Sequence, residues 1–303
     1  MNRYLPLSLF FLTLASCAWA QDDLSKLLDQ EAPKTKNYAA ATFKGTRIIN
    51  SHSVETVKAK HMDFLIQHRF GPLNDMDNFF GLDIATLRLG FEFGITDRLM
   101  LGIGRTNVQK AVDIFGKYRL LRQAADGSPV SVTVFGSAVN KTIDEGVSVS
   151  FQNRLTYCSQ LLIARKFSDD FSLQISPTFL YRNRPEAVGD TRALFAVGVG
   201  GRYKLSKRIS INADYYWTAR DGNAFKDRFG SAVTYHNALA LGVDIETGGH
   251  VFQMHFTNAM GMNEKQFIGE TTSSWGDGAV RYGFNISRTF SFDRRARSMD
   301  KPN

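Results

Sequence analysis

Six histidines, two cysteines and a scatter of serines and carboxylates are the groups through which this chain could make or break bonds. Their spacing argues against it. His250 and His255 differ by an odd number of positions, as do His61 and His68. On extended strands each pair therefore faces opposite sides and cannot jointly grip a metal ion. The run Thr271-Thr272-Ser273-Ser274 reads as an exposed loop, and no Gly-x-Ser-x-Gly elbow is present to raise a nucleophile above a sheet. Gly198-Val199-Gly200-Gly201 looks like a phosphate loop, but it lies inside an alternating strand with no helical pattern after it. Glycines there ease curvature or leave space on one face. No enzyme activity, cofactor or metal is expected.

The charged residues say more. Arg88, Glu92, Lys117, Arg119, Arg154, Arg202, Asp214 and Asp244 each fall on the polar side of an alternating run, as do Arg69, Arg182, Arg192, Arg281, Asp63, Asp113 and Glu246. Such a set either lines a path for ions, with its basic excess attracting anions, or fills a narrow interior with salt bridges. What it does depends on the elements that carry it.

Those elements are strands. Leu87, Leu89, Phe91 and Phe93 alternate with Thr86, Arg88, Gly90 and Glu92; a turn at 95–98 follows, then Leu99, Leu101 and Ile103 alternate with Met100, Gly102 and Gly104. The same pattern recurs to Tyr282, Phe284 and Ile286. Strands are expected near 61–70, 84–94, 99–107, 111–122, 130–140, 153–166, 171–182, 191–204, 209–218, 235–246, 250–258 and 279–290. Most run to about ten residues, the length a tilted membrane strand needs, where soluble strands average about five or six. The connections alternate as well. Those at 95–98, 167–170, 205–208 and 247–249 are tight and 123–129 is modest. Those at 71–83, 141–152, 183–190, 219–234 and 259–278 are long and polar, with 108–110 the exception. Long external loops, short periplasmic turns and an even strand number are the marks of a transmembrane antiparallel up-and-down β-barrel of about twelve strands, with fourteen as the upper alternative. Tyr181, Tyr203, Tyr215, Trp217 and Tyr282 fall near strand ends, where amphipathic rings suit the membrane interface.

The ends of the chain fit an exported protein. Arg3, the apolar Leu5–Leu14 and Ala18-Trp19-Ala20 form a signal peptide over 1–20. Leu14-Ala15-Ser16-Cys17 offers the rival of a lipid-bearing Cys17. Residues 21–60 are expected to form a periplasmic segment or plug, with a short helix at 22–33 and with 41–50 beneath or within the barrel. The barrel takes 61–292, and 293–303 is a basic periplasmic tail. A mean hydropathy of −0.22 excludes a bundle of membrane helices. The formal charge of +8 is scattered rather than clustered, and export removes genomic DNA as a partner. The expected partners are outer-membrane lipid and small solutes, with no nucleic acid, and the chain is expected to be a monomer rather than a trimer.

Several segments together resemble an uncharacterised family of Gram-negative outer-membrane β-barrel proteins of unknown function. They are FKGTRIINSHSVET at 43–56, DFLIQHRFGPLN at 63–74, RLGFEFGITDRLMLGIGR at 88–105, HVFQMHFTNAMGMNEKQFIGET at 250–271 and YGFNISRTFSF at 282–292. The resemblance implies the fold and the outer-membrane location. It implies no activity and no site residues.

The functional expectation is a narrow, porin-like channel for small anionic solutes; the alternative is a non-conducting barrel with a structural or partner-binding role. In the loop 259–278, Met260, Met262, Phe267, Ile268 and Trp275 are apolar where water is expected. Exposing them would be unfavourable by about 25 cal/mol per Å². The loop is therefore expected to fold back and constrict the lumen mouth, with Glu264, Lys265 and Glu270 meeting lumenal or rim charges. The competing expectation is a loop packed only against 219–234. Replacing lumenal Arg88 by Ser is expected to cost much less than placing Arg at lipid-facing Phe91.

Overall fold

Period-two alternation puts every second side chain on one face of a strand, and here those faces close on themselves. In a computed structural model, which describes residues 37–292, the elements are β1 (His61–Pro72), β2 (Ala85–Gly94), β3 (Leu99–Thr106), β4 (Val112–Leu121), β5 (Ser131–Asn140), β6 (Leu155–Lys166) and β7 (Phe171–Arg182). They continue with β8 (Ala193–Lys204), β9 (Ile209–Ala219), β10 (Ala224–Lys226), β11 (Ala232–Thr234), β12 (Ala238–Thr247), β13 (His250–Thr257), α1 (Glu264–Gly269) and β14 (Arg281–Ser291). Twelve strands make one closed antiparallel barrel, each paired with its neighbours in the chain and β1 sealed to β14. The remaining two, β10 and β11, form a separate hairpin in the loop between β9 and β12. The signal peptide, the helix expected at 22–33 and the basic tail fall outside the described residues.

The apolar positions point outward. Leu87, Leu89, Phe91, Phe252, Met254 and Phe256 are 36–45% exposed on the outer face, while Arg88 and Glu92 between them are sealed inside. The register brings like with like: Leu241, Val243 and Ile245 lie opposite Phe256, Met254 and Phe252. An apolar outside and a polar inside is the inverse of a soluble sandwich and suits a wall bathed in lipid. Tyr181, Trp217 and Tyr282 stand near the long-loop end and Tyr203 near the other, consistent with two interfacial girdles.

Residues 38–60 take no place in the wall. They enter the barrel from the end that carries the short turns, where Tyr38 bridges to Ala124 and the Lys60 amide donates to the Gly94 carbonyl. Between those points the chain forms a hairpin. The Ile48 amide donates to the Ser51 carbonyl at 2.9 Å and the Ser53 amide to Thr46 at 2.9 Å, closing a tight turn over 48–51. Its tip (Ile48, Ile49, Asn50, Ser51, His52 and Ser53) is buried in the lumen. Inward glycines make the room: a side chain at Gly200 would strike Ile48 of the hairpin, and one at Gly198 would strike the Tyr216 ring.

Candidate functional site

The lumen is where the polar residues converge, and its wall grips the hairpin by the backbone. The Lys117 ammonium on β4 donates to three hairpin carbonyls, Thr46 at 2.8 Å and Ser53 and Glu55 at 3.0 Å each. Across the barrel the Asp214 carboxylate on β9 accepts three successive amides, from Ile49 (3.2 Å), Asn50 (2.7 Å) and Ser51 (3.0 Å). It also accepts the Ser51 hydroxyl and the Asn50 side-chain amide at 3.1 Å each. Successive amides turned to one point form a concave anion site, and here a wall carboxylate fills it. Neutral wall residues complete the grip: Gln174 donates to the His52 carbonyl at 2.7 Å, Thr133 to Val54 at 3.0 Å, and Gln253 to Ile48. None of these three was singled out from sequence, because each reads as one more polar lumenal position.

A second insert comes from the long-loop end. Between β13 and β14 the chain folds back into the barrel, and α1 is buried along its whole length. Asn263 starts the helix, its side chain accepting the Gln266 amide at 3.1 Å. Phe267 packs edge-on to Tyr216 with ring centroids 5.2 Å apart. Folding inward buries Met262, Phe267 and Ile268, as the sequence requires. Met260 stays exposed, and Trp275 stays at the rim, half-buried, its indole donating to the Leu239 carbonyl at 3.1 Å.

The two inserts meet inside. Glu264 at the start of α1 lies 3.4 Å from His52 Nε2 and 3.8 Å from Arg47 of the hairpin. Glu92 on β2 lies 4.0 Å from Arg47 Nε. These separations exceed good hydrogen-bond lengths, and both Glu92 oxygens, both His52 ring nitrogens and Arg47 Nε are buried without a hydrogen-bond partner among the described residues. Arg69 on β1 joins both inserts: its guanidinium donates to the Ala259 carbonyl at 3.0 Å and to Gly261 in the loop, and to the Asn50 side chain in the hairpin.

The other wall charges fall as follows. Arg88 donates through Nε to Asp113 at 2.9 Å, and a second nitrogen contacts the other carboxylate oxygen. A third donates to Gln67 at 2.9 Å. Arg88 is thus fully committed within the wall, which reverses the expectation that it is cheap to remove. Arg202 donates to the Ala41 carbonyl at 2.9 Å, Arg119 lies 3.4 Å from Glu55, and Asp244 accepts from Gln253 at 2.6 Å. Arg154 stands in a single 3-10 turn (Gln152–Arg154) above β6 rather than on its inward face, and Arg192 is exposed. Among the described residues, eight arginines and lysines are buried against five aspartates and glutamates, so the interior keeps a positive excess.

At the long-loop end the external loops are stitched together by ion pairs. Glu145 pairs with Lys141, Arg184 and Arg228; Glu186 pairs with Lys141 at 2.7 Å and Lys265 of α1 at 3.1 Å. Burial alone would raise the Glu186 carboxyl, but the Lys265 and Lys141 ammonium groups draw it down to about 2. Glu145 is also lowered: burial opposes the change, and its hydrogen bond to Lys141 and the positive field of Lys141, Arg228 and Arg184 outweigh it.

Among the described residues no three histidine, cysteine or carboxylate side chains converge as a metal site. The sequence of residues 43–290 matches a family described as "Membrane bound beta barrel domain (DUF5777)". No curated protein matches the chain in sequence. Among solved structures it is similar to the NanC porin, with 10% identity, covering 76% of this chain and 98% of that one at a TM-score of 0.47. It is similar to the KdgM porin, at 10% identity, 76% and 99% coverage and a TM-score of 0.46. It is also similar to an outer membrane channel from Pseudomonas putida F1, at 11% identity, 78% and 98% coverage and a TM-score of 0.46.

Proposed function

Because this chain belongs to the family of membrane-bound β-barrel domains that its residues 43–290 match, we propose that it is an outer-membrane channel for small, preferentially anionic solutes, closed at rest by the hairpin and the inserted loop. The observation that carries this reading is the joint between the inserts. A permanent filling close-packs its apolar groups and satisfies its buried polar ones. At this joint Arg47, His52, Glu92 and Glu264 face one another at 3.4–4.0 Å, as charged and polar groups rather than interlocked apolar side chains. A joint of that kind separates at lower cost than an apolar one. The basic excess of the lumen favours anions on the path once it opens. The lumenal residues that would line it are Arg88, Glu92, Lys117, Arg119, Arg202, Asp214 and Asp244, with Arg154 at its outer mouth. Glu264, Lys265 and Phe267 form the constriction. The protein acts as a monomer on this reading, and no bond-making step is assigned to it.

Planar-bilayer recording of the full chain and of a variant lacking 263–274 tests the proposal. The full chain should show small, intermittent conductance with an anion-biased reversal potential, and the deletion should raise it. Silence from both proteins, each shown to be folded by its heat-modified gel mobility, would leave a filled, non-conducting barrel.

A further inference from the structure

The ion-pair network over the constriction helix has an unusual composition. Two carboxylates, Glu145 and Glu186, sit side by side because they share cations: Lys141 pairs with both, and Arg228 contacts Glu145 and lies 4.0 Å from Glu186. Arg184 adds a further contact to Glu145 at 2.9 Å and Lys265 one to Glu186 at 3.1 Å. Four cations thus hold two carboxylates, and Arg154 lines the same cleft with the apolar Ile143, Val147 and Val149. The pairs come from three different external loops and from the insert, so the arrangement is not a local helix or turn motif. It has the form of a dicarboxylate bound by a basic cleft, with the protein's own side chains supplying the ligand.

We propose that this cleft is a recognition site for small polycarboxylates, which replace Glu145 and Glu186 as partners of Lys141, Arg184, Arg228 and Lys265 and so release the constriction helix. The proposal rests on the channel reading above and names its solute class and its trigger. Exchange is chemically natural: carboxylate replaces carboxylate, the guanidinium forks of Arg184 and Arg228 accept either, and no net charge is buried without a partner. Two or more linked carboxylates are required, because a single one would displace only one of two cross-tethered glutamates. The coupling to the gate is direct. Lys265 belongs to α1, and its ammonium also holds Gln109 at 2.6 Å and Glu270. Gln109 and Lys110 are both in the left-handed backbone region, with φ of 57° and 48°. Such strain persists where surrounding contacts fix it, and here the fixing contacts run from Gln109 to Lys265 and to Glu270. Moving Lys265 onto an entering ligand withdraws one of those contacts and loosens the helix that blocks the lumen.

The test uses the full chain in a non-ionic detergent, which excludes lipid phosphate as the source of the anion, with citrate as the probe and acetate as its monovalent control. Isothermal titration should show citrate binding at least about tenfold tighter than acetate, a margin of about 1.4 kcal/mol. Binding should weaken steeply with added sodium chloride. The double variant Arg184→Gln/Arg228→Gln should lose it, and Arg184→Lys/Arg228→Lys should recover it in part. Citrate should also speed amide exchange across 262–270 in the wild-type protein. Absence of citrate binding to folded wild type, or full binding by the Gln double variant, overturns the recognition site. Binding without faster exchange in 262–270 overturns the coupling. Chloride conductance of the 263–274 deletion, measured without citrate, tests the channel alone, so the two readings fail separately.

Discussion

Asp214→Asn should release the lumenal hairpin while leaving the barrel intact. The carboxylate receives the amides of Ile49, Asn50 and Ser51, and all three converge on one oxygen, Oδ2. Asparagine has the same shape, and turned with its oxygen at that position it still accepts them. What it loses is charge. A hydrogen bond to a charged group contributes about 1.5–3 kcal/mol and a neutral one about 0.5–1.5, so each amide gives up about 1 kcal/mol. The other oxygen becomes an NH2 group facing the Asn50 side-chain amide, donor against donor, where a 3.1 Å hydrogen bond had been. Relief of the cost of burying a carboxylate returns part of this. The net weakening of hairpin docking is about 2–3 kcal/mol, or about 30- to 150-fold in the docking equilibrium. Hydrogen exchange followed by mass spectrometry reads it directly: exchange across 46–53 should rise by that factor in the variant, while strands β1–β9 and β12–β14 stay protected. Wild-type exchange across 46–53 in a folded Asp214→Asn protein would refute the assignment of Asp214 as the clamp. So would a variant whose strands loosen together with the hairpin, because the clamp would then belong to the wall.

Lys117→Met should weaken the same hairpin from the opposite wall, since three carbonyls lose one ammonium; protease release of the segment before residue 60 in reconstituted protein checks it. Phe91→Arg puts a charge on the lipid face and should cost about 2–4 kcal/mol near the midplane in a reversible folding assay. Arg88→Ser should cost as much or more, about 3–5 kcal/mol, because it strands the buried Asp113 carboxylate; a small effect would show that the pair is not load-sharing with the wall. Glu186 is held low, so its contribution to loop closure is complete above about 4.5 and is lost as pH falls from there through about 2. Protection of 183–192 against hydrogen exchange, taken relative to the intrinsic rate at each pH, should therefore be high at pH 5 and fall towards pH 2, and in Glu186→Gln it should already be low at pH 5.

The wall of this protein was readable because its physics is local. Alternation at period two needs only neighbouring residues, and the short and long connections sort the two ends; the strand pairing of Leu241, Val243 and Ile245 with the 252–256 run followed from one tight turn. The filling was not readable in the same way. Lys117 finds Thr46 across 71 positions and Asp214 finds Asn50 across 164. No periodicity announces such partners. Arg88 looked like any lumenal arginine until Asp113 stood beside it. Arg154 kept the inward parity of β6 but fell beyond its first residue, and parity has no meaning off the strand. Trp275 was apolar enough to suggest burial in the constriction, yet its indole N–H needs an acceptor and finds the Leu239 carbonyl at the rim. The inward turn of 259–270 was legible for a simple reason: too much apolar surface for water.

Arg69 lies on the strand that seals the barrel, opposite Gly283 of β14, and its side chain hydrogen-bonds both inserts. A side chain at Gly283 would crowd Arg69 and the His68 carbonyl, so the glycine leaves room for that arginine at the seam. The hairpin is joined to β1 by residues 54–60, so it lies next in the chain to the strand that makes that seam. A barrel without its contents would leave Asp214, Lys117 and Arg69 to water. Because Arg69 stands at the seam and holds both inserts, seating the contents also steadies the join between the first strand and the last.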